Sequence, residues 1–149
     1  MFPKTIATLS DYYLESPAAT PSESELELFA AWICGQYLAI PCHVEYSADD
    51  INLETTREKY NRDNTLIIST ANNCHPWLSY AQNAMLRAVH DWHHVAYEID
   101  DTFTGECLAY VIANSTAPKA ISWILFSEMV LQAAVRINTG EFPTQKLVR

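Results

Sequence analysis

From Ile121 to Ile137 twelve of seventeen residues are apolar, and this stretch constrains the rest of the chain. Read at 100° per residue, KAISWILFSEMVLQAAVRIN is a helix with almost no wet face, so it belongs inside a core. Gly140 follows it as a C-terminal cap. Such a helix needs partners. PSESELELFAAWICGQYLAI supplies one. Ser22 and Glu25 form a capping-box pattern, Leu26, Phe29, Ile33, Tyr37 and Ile40 recur at helical spacing, and Pro41 ends the run. The stretch from Pro76 to about Ile99 supplies another, with Leu78, Ala81, Met85, Ala88, Val89, Trp92, Ala96 and Ile99 on one side. ADDINLETTREKY, acidic first and basic last, suits a helix dipole, and ECLAYVIAN reads as a short helix. HVEYS and TLIIS read as short strands.

The expected fold is therefore mainly α. It is a compact single-domain helical bundle of about five helices over residues 1–149, with at most a small two-stranded β element. Residues 1–20, which contain Pro3 and Pro17, read as an irregular lead-in, and residues 141–149 as an extended tail. The apolar runs are broken by Gln, Glu or Ser short of a membrane span, and the N-terminus lacks the pattern of a signal peptide.

A net charge of −9 argues against nucleic-acid binding, which needs Lys and Arg to displace phosphate counterions. It leaves room for a cationic partner. Cys34, Cys42, Cys74 and Cys107 contain no C-x-x-C pair, so neither a zinc ribbon nor a thioredoxin-like motif is indicated. Reduced thiols and a cytoplasmic location are the expectation.

RAVHDWHH, residues 87–94, is the segment that suggests chemistry. On the helix through Pro76–Ile99, Arg87, His90, Asp91, His94 and Glu98 fall opposite the apolar stripe. His90 and His94 are one turn apart, the spacing with which a helix offers two imidazoles to zinc or iron. His90-Asp91-x-x-His94 is one methylene short of the H-E-x-x-H zincin motif, which weakens a peptidase reading. His93 points about a quarter turn away. Polar residues on such a face more often only meet water.

Glu128 and Gln132 lie mid-way along the apolar helix, and a buried carboxylate needs a partner. Two partners are open: Arg87 in a structural ion pair, or a metal shared with His90 and His94. Glu106 competes as the third ligand, its plainer role being an acid at a helix N-terminus. His75 in NCHPW could fold over the cluster, and His43 is background. His90-Asp91 also invites comparison with the HD phosphohydrolases, but the later Asp of that motif is missing, since Asp101 is the last aspartate.

HPWLSYAQNAMLRAVHDWHH, TGECLAY, SEMVLQ and GEFPTQK together resemble a family of phage and prophage-borne proteins with no assigned reaction. The resemblance covers about residues 75–147 and does not reach the N-terminal half. It would mark Arg87, His90, Asp91, His94, Glu106, Glu128, Gln132 and Lys146 as shared polar positions. His93 stands where the pattern has Gly. The resemblance implies a viral setting, hence the host cytoplasm, and names no chemistry.

The leading expectation is a small protein binding a divalent metal, zinc or iron, through His90, His94 and Glu128. As an enzyme it would be a metal-dependent hydrolase acting on a small substrate. Asp91 or Glu106 would be general base, and Arg87 would orient a substrate anion. The rival is a non-enzymatic acidic protein that blocks a host protein, with the His, Arg and Glu residues as a structural network. No membrane partner is expected.

Overall fold

A computed structural model describes residues 2–149, and helix dominates them. The mainly α expectation holds, with one small two-stranded sheet. The chain divides into two compact units, residues 26–100 and residues 1–25 with 101–149.

Helix α2, Glu23–Leu38, begins as its sequence announces. Ser22 N–H donates to Glu25 Oε2 at 2.8 Å and Glu25 N–H donates to Ser22 Oγ at 3.2 Å, closing the capping box. Phe29, Trp32 and Ile33 are its buried residues.

The unit of residues 26–100 is built on a βαβ element. Strand β1, His43–Ser47, and strand β2, Thr65–Ser69, pair in parallel from His43↔Thr65 to Ser47↔Ser69. Helix α3, Leu53–Asp63, is the crossover that a parallel pair requires. Asn52 Oδ1 accepts from Thr55 N–H at 2.9 Å to start it. Asn64, left-handed at φ 54°, ends it and turns the chain straight into β2. Leu66 and Ile68 of β2 are fully buried and pack with Ala88 and Val95 of α4, Tyr80–Ala96. Helix α4 starts later than Pro76 because the His75 ring holds the preceding turn. Its Nδ1 accepts from the backbone N–H groups of Trp77 and Leu78 at 3.0 and 3.1 Å. Ser79 and Gln82 then form a second capping box.

The other unit corrects two readings of the sequence. Within the supposed lead-in, residue 1 lies outside the described residues, but Phe2–Glu15 is a helix, α1. Pro3 sits in its first turn, where a missing N–H costs nothing. Helix α1 packs on the apolar rod from Lys119 to Thr139. That rod comprises a 3₁₀ turn (Lys119–Ile121), α6 (Ser122–Phe126), a π turn (Ser127–Leu131) and α7 (Gln132–Thr139). Gly140, at φ 81°, closes it by donating its N–H to Arg136 O. Helix α5, Phe103–Thr116, capped by Thr102, packs against α6, the π turn and α7.

By length and composition alone, Lys119–Thr139 is long enough and apolar enough to cross a membrane, contrary to the expectation that every apolar run falls short. More than half of it is buried within the protein, as in a core helix.

The tail after Gly140 contains no helix or strand, but it is not loose. Leu147 and Val148 are buried. Val148 N–H donates to Ser127 Oγ at 2.9 Å, and Ala19 N–H donates to Leu147 O at 2.8 Å. The hydroxyl of fully buried Tyr13 accepts from Lys146 N–H and lies 3.0 Å from Lys146 O. Lys146 Nζ donates to Ser16 O and lies 5.3 Å from the centre of the Tyr13 ring. Residues 144–149 therefore form a strap that ties α1 to the π turn.

Candidate metal centre

The histidines of α4 face inward. His93 and His94 are buried and His90 is half-buried. The rings of His90 and His94 meet edge to face, with centroids 4.6 Å apart, as their one-turn spacing predicts.

His94 is held in one tautomer. Its Nδ1 lies 3.2 Å from Ile99 O, and a carbonyl only accepts, so Nδ1 carries a proton and Nε2 is the nitrogen that could ligate. A backbone carbonyl behind the ring is a common arrangement for a ligating histidine. The guanidinium of Arg57, on α3, donates to both His94 O and Ile99 O. It thereby fixes the end of α4 and the carbonyl that orients the ring. Nothing in the spacing of TTREKY singles out Arg57, because its partners are backbone atoms some forty positions away.

His90, His94 and Glu106 form a group that could hold a metal ion, each offering one ligand atom within 4.8 Å of the others. Ligands bound at about 2 Å to a tetrahedral zinc stand roughly 3–3.5 Å apart. Glu106 is 7% exposed, and Arg136 Nη2 lies 3.3 Å from its Oε1. Arg136 also donates to Asp101 O and lies over the Phe142 ring at 5.7 Å. The one base in AAVRIN was the available signal for this pair.

Glu128 is not in that group. It is half-buried within the π turn, close enough to Tyr13 for its negative charge to disfavour the phenolate. Burial first, and then Glu128, raise the Tyr13 pKa to about 12, against the opposing effect of its backbone bond to Lys146. Two features hidden in the sequence account for this. The π turn departs from 100° per residue, and α1 brings Tyr13 to that side.

Arg87 is engaged with backbone carbonyls. Its guanidinium donates to Ser69 O at 3.0 Å, Ala71 O at 2.7 Å and Asn72 O at 3.2 Å, tying the loop after β2 to α4. Burial lowers its pKa, while nearby charges, Asp91 first, oppose the shift. Asp91 is half-buried one turn along α4 from Arg87. His75 serves its turn, and His43 is exposed, 3.9 Å from Glu45.

His93, a quarter turn from the His90 and His94 face, is nonetheless only 6% exposed. Burial, followed by the charges of His90 and His94, lowers its pKa to about 4, so it is neutral at pH 7. Its Nδ1 has no hydrogen-bond partner among the described residues.

No family model matches this chain, and neither a curated protein nor a solved structure matches it significantly.

Proposed function

We propose that the protein binds one divalent metal ion through His90, His94 and Glu106, and that the bound ion activates water to attack an ester, amide or phosphate bond. The observation that carries this reading is the approach of two imidazoles and a carboxylate within 4.8 Å of one another. Two histidines and one carboxylate leave coordination positions for water and substrate, the arrangement of catalytic zinc and of non-haem iron. Arg136 on Glu106 and Ile99 O on His94 supply the outer contacts that orient such ligands. With Glu106 as ligand, Asp91 is the acid left for the role of general base.

The Arg136–Glu106 pair also favours a second reading, in which the cluster is a structural ion-pair network and the acidic chain acts by binding a host protein. Metal uptake separates the two. Tag-free protein exchanged into Co²⁺ or Zn²⁺ and analysed by plasma mass spectrometry should carry about one ion per chain. His90→Ala, His94→Ala and Glu106→Gln should each abolish uptake, and Glu128→Gln should leave it intact. A wild-type chain that takes up no ion, or loss in Glu128→Gln rather than Glu106→Gln, would defeat the assignment.

A further inference from the structure

Within the unit of residues 1–25 and 101–149, a cleft of about 630 Å³ opens beside the start of the apolar rod. It is shallow and open to solvent, so a ligand there would rest on its walls rather than be enclosed. It takes no part in the proposed metal centre. Tyr110, Trp123 and Phe126 give it aromatic walls, while Lys119, Arg149 and Glu25 supply its charges.

The aromatic side is firmly built. Tyr110 and Phe126 pack edge to face at 5.4 Å, and the Tyr110 hydroxyl pairs with Ser122 Oγ at 3.0 Å. These contacts hold α5 against α6 with ring surface left along the cleft.

The charges decide what the cleft prefers. Glu25 is already served by three donors: Ser22 N–H at 2.8 Å, Trp123 Nε1–H at 3.0 Å and Arg149 Nη2 at 3.5 Å. These contacts, the Ser22 bond foremost, hold its carboxyl below the usual carboxylate range, so it is ionised and engaged. It does not call for a cationic ligand. Arg149 gives Glu25 one edge of its guanidinium and lies over the Trp123 ring at 4.9 Å, which leaves further donors of its five. Lys119 is exposed and forms no ion pair among the described residues. Lys119 and Arg149 thus line the cleft beside a carboxylate that already has its partners, on a chain of net charge −9.

We infer that this cleft binds a small aromatic anion, a planar ring carrying one carboxylate or phosphate group. The ring would lie on Phe126 and Tyr110, and the anionic group would lie between Lys119 and Arg149. Arg provides a planar fork for the anion and Lys a mobile point charge.

The chain has four tryptophans, so the Trp123 indole N–H gives a resolvable signal in a ¹⁵N–¹H spectrum, marked by its bond to Glu25. Phenyl phosphate should shift that signal saturably, with a dissociation constant on the order of a millimolar or below for so small a ligand. Lys119→Glu should weaken binding about fivefold or more, and Arg149→Gln should weaken it as well. The other three indole signals report that these variants remain folded. Inorganic phosphate alone and benzyl alcohol alone should each bind much more weakly. The inference is overturned by an unmoved Trp123 signal at several millimolar, by phosphate or benzyl alcohol matching phenyl phosphate, or by unchanged binding in Lys119→Glu.

Discussion

The two compact units are closed in different ways. In residues 26–100 each element is marked by its neighbours in sequence: Asn52 starts α3, Asn64 ends it, and Ser79 with Gln82 starts α4. In residues 1–25 and 101–149, closure depends on groups more than a hundred positions apart, such as Tyr13 and Lys146. The first kind of unit specifies its boundaries locally. The second has local caps too, at Thr102 and Gly140, but is completed only once the chain ends have come together, so a single buried contact carries more of its integrity.

The largest expected effect is therefore at Tyr13. Tyr13→Ala should cost about 3–5 kcal/mol, because it empties a fully buried site and removes the hydroxyl that holds the strap. Hydrogen exchange should show α1 and α7 losing protection before Leu66 and Ile68 do. Equal loss in both units would break the contrast between them.

The next effect probes the 26–100 unit at its buried base. The His93 pKa falls from 6.5 to about 4 in the folded chain. Between these values the unfolded chain binds more protons, so stability is present above pH 6.5 and is lost as pH falls toward 4. The loss approaches about 3 kcal/mol. Urea midpoints measured from pH 7 to pH 4.5 should decline, and His93→Gln should flatten that decline. A slope that survives the substitution would assign the acid sensitivity to another group.

The smallest effect belongs to the local signals themselves. Ser79→Ala should cost about 1 kcal/mol by removing one cap bond, with α4 fraying at Tyr80 and little change elsewhere. A loss comparable to Tyr13→Ala would show that local caps matter as much as distant closure.

The same contrast explains what could be read in advance. Both strands, the capping box of Ser22 and Glu25, the apolar rod and its Gly140 cap were legible because each depends on spacing within a few residues. Helix α1 was not, because Pro3 resembles a breaker unless its place in the first turn is known. The burial of Leu147 and Val148 was not, because EFPTQKLVR has no periodicity and its partners lie at residues 13, 19 and 127. At the candidate site, the convergence of His90 and His94 followed from helix geometry alone. That Glu106, and not Glu128, forms the candidate group with His90 and His94 is something no pattern of apolar residues encodes. Arg57 and His93 were missed for a related reason: one acts on backbone carbonyls, and the burial of the other is set by distant packing.

The π turn at Ser127–Leu131 is also a matter of counting. Gln132 N–H reaches back five residues to Ser127 O, so the rod holds one residue more than α spacing would allow. Deleting one residue of that turn would restore regular α spacing and keep most of the register beyond it, whereas deleting one residue of α6 would rotate everything beyond it by about 100° and shorten the rod by about 1.5 Å. Arg136 would swing away from Glu106, and the chain beyond Gly140 would set out in another direction. The length of α6 is thus under tighter constraint than that of the π turn that follows it. Exchanges among buried Met129, Val130 and Leu131 for residues of similar volume should be tolerated.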